Sequence, residues 1–482
     1  MRNRYLILLY CLIAPLVFFI WFVYYPYTLW AKEATSFFIW TPDYIHLTMS
    51  GNGGIPALIG NFLLQFYRWP LIGAAFQAVF PTLVLLAGMH VIYRLPISKD
   101  WYIIALIPAL VVAWNQFTEN QLIASVRWAL IFMVLAIIVE VLYHIIKKKV
   151  VIRPKSNLTK KIVLSVVSLI LMTIFYVKAV SNEQYKFTER TNRLDYYAYT
   201  GRWNDILNLI GNNTNATGRD LCYITLALNQ QGRLGDYIFH YPINSEEYFL
   251  NLGVASEQGT FFNQLFYSNI GLYNQAIHQA FQEATKSKNG MSFRVIMNLI
   301  KYNIAIGNEK MANKYMDILS HASCYSDWIA KRRVELAASL NSERKEDPQT
   351  VYMTNTTLRN LYSFVQAGNE NVALNNYYLC ALLIHKNMLA FTAHLNTHKY
   401  LLKDGIPIHY MEALVLAATQ GYMVEGVSIP DLYIQRFNEF QSLIKKRNQS
   451  AIAAKYKFTY WYNYYFMTFP DDPNIESEAH VN

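Results

Sequence analysis

Residues 122–146 read LIASVRWALIFMVLAIIVEVLYHII, and Lys147, Lys148 and Lys149 follow at once. A bilayer crossing takes about 20 mostly apolar residues, so this run is read as a membrane span. A basic flank of this kind marks the cytoplasmic end of a span. Working outward, four more stretches qualify: Tyr5–Tyr25, Leu71–Tyr93, Trp101–Phe117 and Ile162–Val180, the third being the shortest. Between the first two lies another apolar segment, Ile55–Trp69, which Pro56 and Asn61 interrupt. It reads as an interfacial or re-entrant helix rather than a sixth crossing. The first span exceeds the roughly 7–15 residues of a signal-peptide core, and no A-x-A pattern follows it, so it reads as a retained anchor.

Charge gives the orientation. Residues 1–180 hold 15 Lys+Arg and five Asp+Glu, whereas the remaining residues hold 27 of each. The whole net charge of +10 therefore lies in the apolar part. A nucleic-acid binder would carry that excess on a folded domain. Arg2 and Arg4, then Arg94 and Lys99, then Lys147 to Lys149, Arg153, Lys155, Lys160 and Lys161 all fall on one side if five spans start from an inside N-terminus. The opposite loops hold Lys32 and Arg68, with Lys178 at the outer end of the fifth span. By the positive-inside rule the N-terminus is cytoplasmic and everything after about residue 181 is extracytoplasmic.

Composition agrees. The chain is 54% hydrophobic and 15% charged, against about 25% charged in ordinary soluble domains. That excludes a disordered chain, a disulfide scaffold and a simple soluble enzyme. Cys11 lies in a span, and Cys222, Cys324 and Cys380 are scattered beyond it without a C-x-x-C pair. They read as small buried helix residues, with one disulfide among the last three still open.

From Asn182 onward, apolar residues recur at helical spacing between glycine-polar turns. Thr200-Gly201-Arg202-Trp203-Asn204-Asp205 is echoed 31 residues later by Gln231-Gly232-Arg233-Leu234-Gly235-Asp236. Ile270-Gly271-Leu272-Tyr273 continues the series, with Ala276 three residues on. Ile306-Gly307-Asn308-Glu309 with Ala312 is matched 61 residues on by Ala367-Gly368-Asn369-Glu370 with Ala373. A glycine closing one helix, a polar residue opening the next and a small residue for close approach describe stacked helical hairpins. At about 35 residues per hairpin, roughly eight fit. The expected fold is all-α: a transmembrane bundle over residues 1–181, then a degenerate tetratricopeptide-like α-solenoid over 182–482. The balanced charge of the second part predicts that it folds without the membrane part.

Several of these segments carry a resemblance. They are Asn192–Ile210 with Tyr196, Gly201 and Trp203; Thr225–Tyr241 (TLALNQQGRLGDYIFHY); Asn298–Leu319 with Lys314 and Tyr315; Trp328; and Thr459-Tyr460-Trp461-Tyr462. Together they resemble an uncharacterised family of Bacteroidetes membrane proteins with an N-terminal membrane bundle and a tetratricopeptide-like region. The resemblance implies a bacterial inner membrane and a periplasmic outer domain. It implies no activity and no catalytic residue.

Candidate chemistry is sparse. Ser50-Gly51-Asn52-Gly53-Gly54 lacks the Lys-Ser/Thr of a phosphate loop and reads as a turn. The eleven histidines show no H-E-x-x-H or paired ligand spacing, so no metal and no cofactor is expected. Tyrosines such as Tyr196/Tyr199 and Tyr460/Tyr464 stand at packing spacing, although a sugar-binding groove would use the same residues. Asn212, Asn215, Asn355 and Asn448 begin N-x-S/T triplets that carry no weight.

The candidate binding residues face the outer membrane surface: Glu33, Asp43 (with His46 beside it), Glu119, and Arg127 inside the fourth span. Arg127 can snorkel as an anchor, or hold one of these carboxylates or a lipid phosphate in a bidentate fork. The function expected is a non-enzymatic scaffold that binds a protein partner, or a glycan, in envelope assembly or secretion. The alternative is a membrane glycosyltransferase-related enzyme acting on lipid-linked sugars through the outer carboxylates. A transporter subunit fits less well, because no internal symmetry is evident.

Overall fold

The computed structural model describes residues 12–95, 99–118, 122–146, 158–211, 216–249, 257–287, 290–340, 356–367, 371–403 and 405–467. Every regular element among them is helical. Two compact units form, one from residues 1–196 with 281–344, the other from 197–280 with 345–482. The composition boundary at 181 marks where the apolar stretches end, whereas compactness divides the chain elsewhere.

The first unit opens with α1 (Ile13–Tyr24), α2 (Pro26–Ala34), α3 (Pro42–Ser50), α4 (Gly54–Leu64) and α5 (Pro70–Arg94). It continues with α6 (Leu106–Thr118), α7 (Ile123–Ile146), α8 (Leu158–Ser181) and α9 (Glu183–Tyr199). Among the described residues three helices are long and apolar enough to cross a membrane, Pro70–Arg94, Ile123–Ile145 and Ile162–Ser181, or four if the bent pair of α1 and α2 counts as one span. The other two expected crossings have no continuous helix of spanning length among the described residues. The first, of which residues 5–11 lie outside the described residues, ends at Tyr25 as expected, and there α1 meets α2 at 81°. Pro26 disfavours helical torsions in the residue before it, and Tyr25 accordingly leaves the helix at φ −131°, ψ 35°. The third divides into a 3₁₀ stretch, Lys99–Ala105, and α6. Pro108 near the start of α6 has no N–H to continue the ladder backward. The regular part, α6 with 13 residues, is about 20 Å long, short of a hydrocarbon core of about 30 Å.

Contacts fix the helix directions in this unit. His90 and Arg94, at the C-terminal end of α5, meet Glu140 near the C-terminal end of α7, so α5 and α7 run the same way. At the opposite end Trp21 of α1 stacks on Phe117 of α6 at 4.8 Å. Tyr25, just after α1, donates to Ala179 O of α8 at 3.1 Å. Gln116 of α6 reaches Gln77 O near the start of α5 at 2.9 Å. Hence α1, α6 and α8 run one way and α5 and α7 the other. The segment expected to be interfacial or re-entrant becomes α4, too short to cross, and a 3₁₀ turn, Gln65–Arg68. Pro56 sits in the first turn of α4, where no N–H is missed. Asn61 does not interrupt the helix: it is buried and donates to Tyr44 Oη at 3.1 Å, tying α4 to α3.

Further helices follow in chain order: α10 (Trp203–Ile210), α11 (Gly218–Gln230), α12 (Leu234–Tyr237), α13 (Glu257–Asn269) and α14 (Tyr273–Lys286). Then come α15 (Phe293–Ala305), α16 (Glu309–Ser320), α17 (Ser326–Leu340) and α18 (Thr357–Gln366). The last are α19 (Val372–Ile384), α20 (Met388–Thr397), α21 (Ile408–Thr419), α22 (Asp431–Lys445), α23 (Gln449–Tyr456) and α24 (Tyr460–Phe466).

The repeated turn of the sequence is a repeated helix stop. Gly201, Gly232, Gly271 and Gly307 all lie at φ between 69° and 76°, where a side chain would be strained. The next residue's N–H returns to the carbonyl five residues back: Arg202 to Tyr197, Arg233 to Leu228, Leu272 to Tyr267 and Asn308 to Asn303, at 2.8–2.9 Å. This is the Schellman closure. The Gly368 turn lies outside the described residues. Ala276 and Ala312 are wholly buried, as close helix approach requires.

Packing within the second unit goes beyond chain neighbours. Asn229 of α11 donates to Ala373 O of α19 at 3.0 Å, and Asn371 donates to Ile270 O at 2.7 Å. Tyr377 lies against Phe249 and Phe266 at about 5 Å. A purely one-dimensional solenoid would have no such closure. The free cysteines among the described residues are Cys222 and Cys380, buried on helices, and Cys324, half-buried in a loop.

Candidate functional site

The most densely bonded part of the first unit surrounds α2. This helix has nine residues, and its first N–H groups have no partner within it. Glu189 of α9 supplies one: its carboxylate accepts Tyr27 N at 3.0 Å, Thr28 N at 2.8 Å and Thr28 Oγ1 at 2.6 Å. A negative group at a helix N-terminus also meets the positive end of the dipole. Burial nevertheless outweighs these bonds and pushes the Glu189 carboxyl up to about 7.

The middle of α2 is held by aromatic and charged neighbours. Trp30 packs edge-on against Tyr196 at 5.2 Å, and Arg294 of α15 sits over the Trp30 ring at 5.7 Å. Arg294, itself 2% exposed, makes a bidentate pair with Asp195 of α9, one arm at 3.0 Å. A buried fork of this kind fixes geometry more than it stabilises.

At the C-terminal end of α2 the sequence candidate Glu33 is buried and accepts the Tyr325 hydroxyl. Burial, and next the Glu33 carboxylate itself, hold the Tyr325 phenol well above its usual range. Burial also pushes the Glu33 carboxyl up to about 7, against the Tyr325 hydrogen bond and the Arg68 charge, which lower it. Arg68 lies over the Tyr325 ring at 5.3 Å and donates to Cys324 O at 3.3 Å. Around this triad the segment after α2 is laced to the 321–325 loop and to α15. Trp40 N donates to His321 O at 2.9 Å, and Trp40 Nε1 to Ser323 Oγ at 3.0 Å. Ser323 N donates to Gln65 Oε1 at 3.0 Å, and Phe293 N to Ser36 O at 2.7 Å. Phe293 stacks on Tyr325 at 4.6 Å.

Of the four sequence candidates, Glu33 is the one held in this network. Asp43 stands exposed in the first turn of α3, where it faces the helix dipole. Arg127 is exposed on α7, and no hydrogen bond or ion pair joins it to Glu33 or Asp43. Glu119 lies outside the described residues. Among the described residues no group of three His, Cys, Asp or Glu side chains is arranged to hold a metal ion. Bonded to the Tyr325 phenol inside a packed interface, Glu33 clamps the end of α2 to the 321–325 loop.

A second ionic cluster, at the other end of the bundle, escaped the sequence reading although its spacing was visible. His90 and Arg94 stand four apart on α5, and Glu140 and His144 four apart on α7. Glu140 receives Arg94 at 2.6 Å and contacts both histidine Nε2 atoms at 3.0 Å.

No curated protein and no solved structure matches the chain. The family model described as a family of unknown function, DUF6057, matches residues 2–176 and 124–468, and the chain therefore belongs to that family.

Proposed function

We propose that this protein is a membrane-anchored helical scaffold whose hairpin region holds a protein partner in the cell envelope. The observation that carries the reading is the clamp described above. Residues 33–69 grip the hairpin of α15 and α16 and the 321–325 loop through buried polar pairs, which is what an anchor requires. The repeated helix stops support a degenerate tetratricopeptide-like array, and such arrays present extended binding surfaces. Its second-unit closure makes it a folded-back variant of that architecture.

In this reading the bundle crosses the bilayer five times. Alternation of α1, α5, α6, α7 and α8 supports that number, since α5 and α7 can run the same way only if the chain between them returns. The Arg94, Lys99 and Lys147–Lys149 end is then cytoplasmic and the hairpins are periplasmic. The glycosyltransferase alternative would need Glu33, one of its outer carboxylates, released from the clamp in which it accepts the Tyr325 hydroxyl.

The test uses the full chain in its own membranes. A photo-crosslinking residue at Met423 or Leu432, which are 75% and 62% exposed, should capture one envelope protein in constant ratio. Met423→Glu should abolish that capture without lowering protein level. Turnover of a lipid-linked sugar donor by the purified chain, lost in Glu33→Gln, would replace the scaffold by the enzyme.

A further inference from the structure

Among the described residues, five polar side-chain atoms at one end of the membrane bundle are buried without a hydrogen-bond partner. They are Trp21 Nε1, Gln77 Nε2 and Oε1, Gln116 Oε1 and Tyr176 Oη. They come from α1, α5, α6 and α8, and none of the four residues is more than 2% exposed. Contacts tie them into one neighbourhood. Gln116 Nε2 donates to Gln77 O at 2.9 Å, and Lys32 Nζ donates to Gln116 O at 3.0 Å. Lys32 Nζ also lies 5.7 Å from the Trp21 ring centre. Phe117 stacks on Trp21 at 4.8 Å and lies 6.1 Å from the Tyr176 ring.

Orphaned buried polar atoms are expensive, about 1–3 kcal/mol each, and a bilayer offers no water to relieve them. Their placement along the helices gives a depth. Gln116 and Trp21 lie about 3–5 Å from the ends of α6 and α1, and Tyr176 and Gln77 about 8–10 Å from the ends of α8 and α5, at 1.5 Å per residue. That is the level of the headgroup and acyl boundary.

We propose that this cluster recognises the headgroup of a phosphatidylglycerol-type lipid. The indole N–H, the Gln77 amide N–H groups and the Tyr176 hydroxyl, beside the Lys32 ammonium, suit a phosphate diester. The two glutamine oxygens are acceptors and suit the headgroup hydroxyls. The inference rests on the bundle's crossing a bilayer, not on which side is outside.

The test compares full-length protein in nanodiscs of phosphatidylglycerol with nanodiscs of a galactolipid that lacks phosphate. Three variants each remove orphaned groups: Trp21→Phe, Tyr176→Phe and Gln77→Leu. Tyr176→Phe keeps the ring packing and guards against loss of fold in the other two. In galactolipid Tyr176→Phe should melt at or above the wild-type temperature, since a cost has been removed, whereas Trp21→Phe also leaves a cavity. In phosphatidylglycerol the wild type should gain stability that the variants lack. Lipid titration followed by native mass spectrometry should show binding about tenfold weaker in each variant. Variants that bind phosphatidylglycerol as the wild type does would overturn the site and leave the cluster to buried water. A galactolipid as effective as phosphatidylglycerol would overturn phosphate recognition. Inorganic phosphate that reproduced the effect in galactolipid would assign the cluster to a free anion instead. Nanodiscs present both leaflets alike, so none of these outcomes bears on the scaffold or its sidedness.

Discussion

At the scale of single residues, burial decides more than charge. Glu189 accepts three hydrogen bonds at the N-terminus of α2, yet burial raises its carboxyl from an ordinary 4.5 to about 7. The folded state therefore holds this proton more tightly than the unfolded chain does. Its contribution to stability is complete below about pH 4.5 and is lost as pH rises through about 7, up to about 3 kcal/mol. The full chain in detergent should thus melt higher near pH 5 than near pH 8, and Glu189→Gln should reduce the difference, the rest coming from Glu33, whose buried carboxyl is also pushed up to about 7. An unchanged pH slope in that variant would remove Glu189 as its source. Tyr325→Phe leaves the buried Glu33 carboxyl without its phenol donor and should cost about 2 kcal/mol. Glu33→Gln should cost less, because its amide oxygen can still accept the hydroxyl; thermal melts of the two variants decide it. Glu33 was legible as an acidic residue just past the first apolar run. Its partner was not, because 292 residues separate them and no local pattern marks Tyr325.

At the scale of elements, the helix stops are the best example of chemistry readable in sequence. Four glycines predicted to end helices do so in the left-handed region. The same turn also occurs where no glycine announced it, at Lys386 (φ 56°) and Arg447 (φ 51°). Asn387 N returns to Leu382 O there, and Asn448 N to Leu443 O. A side chain in that region costs about 1 kcal/mol, which packing of the flanking helices overrides. Arg447→Gly should therefore raise stability by about 0.5–1 kcal/mol in a denaturant titration. A loss instead would mean that glycine's freedom in the unfolded state dominates. Element breaks were less legible than stops. The first expected span ended just before Pro26, where the helix does break, but hydropathy averaged across Pro108 and read Trp101–Phe117 as one continuous span.

For the whole molecule, the compact units cut across the composition boundary. Residues 281–344 belong to the unit that contains the apolar bundle, because Phe293, Arg294 and Tyr325 are buried against partners N-terminal to residue 196. A fragment beginning at residue 182 keeps Asp195 but loses the side chains of 26–69 that cover Phe293 and Tyr325. It should be strongly helical by circular dichroism, yet associate through that uncovered face. Fusing residues 26–69 to the same fragment should restore a dispersed state, as size-exclusion chromatography would show. A monomeric 182–482 fragment with one sharp unfolding transition would contradict this.

The sequence by itself determined the all-helical class, the apolar stretches, their basic flanks and the repeated glycine stops. Each depends on residues within one or two turns of one another, where periodicity and torsional preference act directly. Tertiary structure alone decided that Glu33 lies in a clamp, that Glu189 caps a helix it does not belong to, and that α11 meets α19. Those pairings join residues 144 to 292 positions apart. Such contacts are set by how packed helices bury one another's faces, and no local pattern encodes which distant face that is.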